Sequence, residues 1–280
     1  MDIETKKRLE ELLRNTGDMA LKRRARKIIE EIDPRRKDKI LEVGCGDGYY
    51  LHLISNLGVK NLKLTGIDID KEALKSATRN LKGQKIILMK ADLMKKLPFR
   101  NTSFDKVIMS EVTEHLPNDV KGLQEVNRVL KRGGSLVITV PNHNYPFLWD
   151  PVNWTSEHFF NTHIKNGFWA GLWNQHLRLY KLGEIKKTIT DAGFKVKEAT
   201  SLTWWCLPFN HYLINLTALA IHSGKLNPAI KSAVNKYETK VKRPMFLNLA
   251  FFVASAIDKL NDFLPIKNSG VGVFVKAQKQ

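Results

Sequence analysis

Cysteine is nearly absent: Cys45 and Cys206 are the two in 280 residues, and they lie 161 positions apart. That count excludes a disulfide framework or a zinc knuckle, and a reducing cytoplasm is the natural setting. The amino terminus, MDIETKKRLEELLRN, has no apolar run, so no secretory signal is expected. No clean apolar stretch reaches the roughly 20 residues that a membrane-spanning helix needs. His158, His163 and His176 stand five and thirteen positions apart, which fits no common zinc spacing, and no metal is expected. Acid is short relative to base, with 28 Asp+Glu against 46 Lys+Arg and a formal net charge of +18. A surface so basic suits anionic partners such as nucleic acid, acidic lipid headgroups or an anionic substrate, although a generally Lys-rich composition accounts for it equally.

What is present reads as a folded chain, 43% hydrophobic and 26% charged. Leu9, Leu12, Leu13, Ile28, Ile29 and Ile32 recur at roughly helical intervals and predict one or two surface helices ending at Pro34. Short apolar runs then alternate with helical stretches. DKILEV, LKLTGIDI, KIILMKA, FDKVIMS and GSLVITVP read as strands, and 47–56, 71–81 and 120–130 as helices. A helix over 182–192, closed by Gly193, and the strand FKVKEATS continue the pattern. The matching last strand comes late, as GVGVFVKA at 270–277. Between them, proline-led helices are expected near 208–222, 228–242 and 244–264. This is the signature of an α/β fold, a doubly wound sheet covered on both faces. The expected organisation is a helical segment at 1–38, a sheet domain from 39–202 and 268–280, and a helical, apolar insertion at 203–267.

The strongest chemical signal is the run Leu41 to Gly48, which follows a strand and opens a helix. Glycines at 44, 46 and 48 let the backbone turn tightly and let a ligand approach without Cβ atoms in the way. The helix start offers unpaired N–H groups to an anion. Asp68, 24 positions past Gly44, ends the strand LKLTGIDI where an acid accepts hydrogen bonds from ribose hydroxyls; Asp70 is its rival. A nicotinamide-dinucleotide loop wants G-x-G-x-x-G, whereas this one is G-x-G-x-G with Glu42 two residues ahead.

These residues resemble the class I methyltransferases that bind S-adenosyl-L-methionine (SAM), especially the type 11 group containing ubiquinone and menaquinone biosynthesis enzymes. That family's acid-x-Gly-x-Gly-x-Gly is met by Glu42 to Gly48, its second acid by Asp68 and its adenine-side aspartate by Asp92. Its later motifs are similar to FDKVIMSEVTEHLPN (104–118) and EVNRVLKRGGSLVITVPN (125–142). The likeness covers about 39–142, with a weaker helix and strand at 181–201, and omits the insertion. It implies a Rossmann-like seven-stranded sheet of order 3-2-1-4-5-7-6 with the last strand antiparallel, and SAM as cofactor. The implied cofactor contacts are Glu42, Gly44, Cys45, Gly46, Gly48, Asp68, Ile69, Asp92, Leu93 and Ser110. His115, just past the fourth strand after Glu111 and Glu114, is the candidate catalytic base, because its pKa near neutrality suits a hydroxyl or phenol acceptor. A loop-ordering hydrogen bond is its other reading.

Acceptor choice belongs outside these motifs. The aromatic segment 145–180 is either a lid or pocket wall, with Trp149, Trp154 and His143 facing the acceptor, or a satellite core. Residues 199–224 and 244–257 lack charge, while Lys231, Lys236, Lys240, Lys242 and Arg243 border the apolar face Ile230, Ala233, Val234, Tyr237 and Val241. Such helices suit a lipid interface, which predicts peripheral contact with the cytoplasmic membrane face and a small or lipid-like, polyprenyl or quinone-type acceptor. A buried subdomain, an oligomer contact and a span are the alternatives. Charge keeps an RNA methyltransferase as the rival function, although no RNA-binding module and no Asn/Asp-Pro-Pro-aromatic sequence follows the fourth strand. A non-catalytic SAM-binding regulatory protein is the third reading.

Overall fold

The computed structural model describes residues 1–209, 212–213, 215–216, 219, 228–239, 243–264, 266 and 269–280. Two helices come first, α1 (Ile3–Leu13) and α2 (Met19–Ile32), each opened by an aspartate, Asp2 or Asp18, whose side chain accepts from the first-turn N–H groups. The alternating core follows as β1 (Lys39–Val43), α3 (Tyr49–Ser55), β2 (Lys63–Asp68), α4 (Lys71–Asn80), β3 (Ile86–Lys90), β4 (Phe104–Ser110), α5 (Asp119–Val129) and β5 (Leu130–Pro141). Then come α6 (Pro151–Phe160), α7 (Leu182–Asp191), β6 (Phe194–Leu202), α8 (Pro228–Ala233), α9 (Met245–Phe263) and β7 (Gly272–Lys279).

The seven strands form one sheet in the order β3-β2-β1-β4-β5-β7-β6, with β7 antiparallel to both neighbours. The sheet predicted from the apolar runs is therefore present, including the late return of the final strand. Its two-residue side-chain period divides the core. Leu41, Val43, Val107, Met109, Leu136, Ile138, Val273 and Val275 point to the side covered by α5 and α7. Ile40, Ile108, Val137 and Phe274 point to the other, where α2, α3 and the buried residues Leu9, Leu12 and Leu13 of α1 pack. The first two helices thus close one face of the sheet, a deeper role than surface helices. Strand order reverses between β1 and β4, so the crevice at their carboxyl ends is where such a sheet receives a ligand.

The insertion keeps part of its expected form. The long helix over 244–264 is present as α9, while the helix expected over 228–242 stops at Ala233 and gives way to turns. The one expected at 208–222 falls mostly outside the described residues. No described helix is long and apolar enough to cross a membrane.

Candidate cofactor and acceptor site

The loop between β1 and α3 is drawn tight by two backbone bonds, Cys45 N–H to the Ile67 carbonyl (2.9 Å) and Gly48 N–H to the Cys45 carbonyl (2.8 Å). Gly44 and Gly46 both take left-handed backbone angles, φ 67° and 51°, which carry a steric penalty for any residue with a Cβ. Their surroundings differ. A Cβ on Gly44 would meet Val112 Cγ2 at 2.3 Å, whereas a Cβ on Gly46 would meet nothing within 4 Å. Bare backbone at 44 is therefore demanded by packing. At 46 the backbone lies open on a concave loop, and this fits a ligand drawn close to the main chain.

Gly46 N–H donates to Asp68 Oδ2 at 2.8 Å, which ties the loop to the carboxyl end of β2. Asp68 Oδ1 accepts from Asp70 N–H at 2.9 Å, and Asp70 itself caps α4, so the two acids have separate structural roles. Each Asp68 oxygen keeps a further lone pair for a hydroxyl donor. Ile69 stands exposed beside it, Leu93 is buried, and Asp92 Oδ1 accepts from Met94 N–H at 2.9 Å. Glu42 is only 2% exposed, and its Oε2 has no hydrogen-bond partner. Burial, and then the nearby Asp47 charge, push its carboxyl well above the usual range. The Cys45 thiol is pushed up by burial as well and is held as a neutral packing group.

A polar chain runs beneath this crevice. Tyr50 Oη lies 3.0 Å from Ser110 Oγ, which lies 2.7 Å from Thr139 Oγ1. Thr139 donates to Glu111 Oε1 at 3.0 Å, and Glu111 pairs with Arg24 of α2 at 2.8 Å. Burial works against the Arg24 charge, but Glu111 more than offsets it and holds the guanidinium firmly charged. Ser110 was expected from its strand position; Arg24, Tyr50 and Thr139 were not, because they converge across more than a hundred residues of chain.

The glycine loop also carries part of the insertion. Tyr237 Oη donates to the Asp47 carbonyl at 2.8 Å, Lys236 Nζ pairs with Asp47 Oδ2 at 2.8 Å, and the Tyr237 ring meets Tyr49 edge-on. The sequence pattern assigns Lys236 and Tyr237 to a lipid-facing helix; the turn after Ala233 brings both onto the loop instead, where Asp47 engages each. Asn15 fastens the same turn by donating to the Asn235 carbonyl at 2.6 Å.

The acceptor-side residues divide. Trp149 turns inward with Tyr145, Leu172, Leu179 and Val271 into a satellite cluster, so it packs there and does not line the cavity formed at Trp154. Trp154 and His143 do line a cavity of about 660 Å³ beyond the carboxyl end of β5, where Trp154 stacks on His158 at 3.7 Å. The aromatic segment is thus part satellite core and part cavity lining, through different residues.

His115 sits in a short 3-10 turn (Thr113–His115) after β4, with Nδ1 at 3.0 Å from the Gln175 carbonyl. Beside it lies His176, with ring centroids 4.8 Å apart, and both rings face the wholly buried Glu114. Burial, followed by the Glu111 charge, pushes the Glu114 carboxyl well above its usual range. His176, whose spacing from His158 and His163 fits no zinc pattern, pairs instead with a histidine 61 positions away, which local spacing does not reveal.

Residues 41–138 match the family model described as a methyltransferase domain. The chain is 31% identical over 160 residues to an uncharacterized protein of Methanocaldococcus jannaschii, covering 57% of this chain and 54% of that one. It is 31% identical over 115 residues to a demethylmenaquinone methyltransferase of Staphylococcus aureus, covering 40% of this chain and 46% of that enzyme. The chain therefore spans about half the length of the curated relatives it matches. A SAM-dependent methyltransferase of Methanosarcina mazei shares the fold with a TM-score of 0.50 at 18% identity, over 90% of this chain and 96% of that one. The cyclase SpnF does so with a TM-score of 0.54 at 16% identity, over 92% and 80%. At such identities the two structures bear on the fold alone.

Proposed function

We propose, for a chain that belongs through residues 41–138 to the SAM-dependent type 11 methyltransferase-domain family, that it transfers a methyl group from SAM to a small or lipid-like acceptor. The observation that carries this reading is the joined loop and acid. Gly46 N–H lies 2.8 Å from Asp68 Oδ2 while the Cβ direction at 46 is open, so bare backbone and a hydroxyl-accepting carboxylate meet at one crevice. When bound, the sulfonium of SAM supplies an activated methyl group. The chain's own part is binding and orientation. Glu42, Cys45 and the glycines at 44, 46 and 48 shape the cradle for the amino-acid end, Asp68 takes the ribose, and Ile69, Asp92 and Leu93 flank the base. Ser110, held by Tyr50 and Thr139, fixes the floor. His115 handles the acceptor's proton, directly or through what it binds.

A polyprenyl or quinone-type acceptor drawn from a membrane surface is the finer reading. It is supported by α9, which exposes Phe246, Leu249, Phe252 and Phe263 along one side while Asn261 and Asp258 dock its other side. The charge of +18 favours anionic headgroups, and equally favours RNA as the rival acceptor. Incubating the purified chain with tritium-labelled SAM and the lipid, RNA and protein fractions of a cell extract tests this. Label in the lipid fraction is expected; label confined to RNA selects the rival, and label in no fraction refutes methyl transfer.

A further inference from the structure

The group at Glu114, His115 and His176 is chemically unusual. Glu114 is 0% exposed, and neither of its carboxylate oxygens has a hydrogen-bond partner. A buried, bare carboxylate costs several kcal/mol unless a cation or donors accompany it. The two imidazoles that face it do not donate to it: their Nε2 atoms lie 4.0 Å and 3.9 Å from Glu114 Oε1, beyond hydrogen-bond reach. Both rings are oriented from behind. His115 Nδ1 lies against the Gln175 carbonyl and His176 Nδ1 against the Leu172 carbonyl. A carbonyl can only accept, so each Nδ1 carries a proton, and Nε2 is the ring atom turned toward Glu114. Metal-binding imidazoles are held in this way, with one ring nitrogen anchored to the main chain. The arrangement is also stapled in place, because Leu177 N–H donates to the Glu114 carbonyl at 3.1 Å and Arg178 pairs with Asp119 at 3.2 Å.

We propose that Glu114, His115 and His176 hold one divalent first-row transition-metal cation at the acceptor side of the site. The ligating atoms all lie within 4.8 Å of one another. Metal–ligand bonds of about 2.0–2.2 Å set neighbouring ligand atoms roughly 3–3.5 Å apart, so small ring rotations close the site. Two imidazoles and a carboxylate suit zinc, manganese, iron or cobalt rather than calcium or magnesium. Three protein ligands leave a position open, and the partly exposed side chain of His115 marks the opening. Val112, whose side chain lies against Gly44, is two residues before Glu114, which sets the cation near the glycine loop. The open position takes an oxygen ligand: water, or a hydroxyl of the acceptor. This assignment rests on the proposed methyltransferase reading for what the cation serves, and not for whether it binds. It gives His115 a ligand's role in place of a free base's.

The test uses the untagged full chain, stripped with chelator and titrated with zinc, manganese and cobalt by calorimetry, with the visible absorption of bound cobalt as a second readout. The expected result is one cation per chain at about micromolar affinity or tighter, weakened at least tenfold in Glu114→Gln and in His176→Ala and unchanged in His158→Ala. Circular dichroism and S-adenosylhomocysteine binding are measured on every variant, which separates loss of the site from loss of the fold. No cation bound by the folded wild-type chain, or binding that survives either ligand substitution, overturns the proposal. Cofactor binding without cation binding leaves the methyltransferase reading standing and removes only this one.

Discussion

Replacing Gly46 by alanine separates what the glycine loop does for the fold from what it does for a ligand. Gly46 and Gly58 both have positive φ, 51° and 87°, and at each a new Cβ meets nothing within 4 Å. Both substitutions therefore carry the same backbone cost, about 1–2 kcal/mol for an L residue in left-handed geometry. That lowers Tm by roughly 2–8 °C for a chain of this size. Gly44→Ala adds a 2.3 Å clash with Val112 Cγ2 to the same penalty. Overpacking of that kind costs a further ~1–3 kcal/mol, so it melts lowest of the three. Of the matched pair Gly46 and Gly58, only Gly46 faces the space assigned to the cofactor. Gly46→Ala is expected to lose at least tenfold in S-adenosylhomocysteine affinity, about 1.4 kcal/mol, while Gly58→Ala binds as the wild type does. Thermal melts and calorimetry on the same preparations give both numbers. If Gly46→Ala and Gly58→Ala bind equally well, the loop does not hold the ligand and the reasoning fails.

Tyr237→Phe removes the hydrogen bond to the Asp47 carbonyl and should weaken cofactor affinity about fivefold, the worth of a net ~1 kcal/mol bond, as read by calorimetry. Arg23 joins α2 to α9 through Asp258 at 3.0 Å and Asp262 at 2.7 Å; Arg23→Ala should expose α9 to limited proteolysis well before the sheet is cut, with about 2 kcal/mol lost in urea unfolding. Asp105 gives an acid-sensitive contribution. Burial alone would raise its carboxyl, but the Lys131 ammonium and the Lys39 N–H outweigh that and hold it below its usual value. A depressed folded pKa stabilises above the unfolded value, near 3.9, and the contribution is lost as pH falls through the folded one. Asp105→Asn should therefore lower stability at neutral pH and converge with the wild type as pH falls through that depressed folded value in pH-dependent melts.

The sheet was legible because its central strands are largely buried and read as short apolar runs, and because Gly44 to Gly48 and Asp68 sit at neighbouring strand ends whose positions the alternation fixes. Even the displaced last strand was visible, since GVGVFVKA had no other place in an α/β layout. Residues brought together by long-range packing left no such trace. Arg24 reaches Glu111 from a helix that looked like surface, and His176 reaches Glu114 from a loop whose histidines seemed unrelated in spacing. The insertion was misread in part for a similar reason. A helical period over 228–242 gives Tyr237 and Val234 a common face, but the chain turns after Ala233, and the direction of Lys236 is set by Asp47, a residue 189 positions earlier. Trp149 and Trp154 look alike in sequence; which one packs and which one lines a cavity depends on the Asp150-capped start of α6 between them.

A crystal structure of the full chain grown with S-adenosylhomocysteine tests the central claim most directly. The account predicts the nucleoside at the carboxyl ends of β1 and β2, with its ribose hydroxyls within hydrogen-bond distance of the Asp68 carboxylate and its amino-acid end over Gly46. Ligand seated elsewhere, or none at saturating concentration, would contradict it.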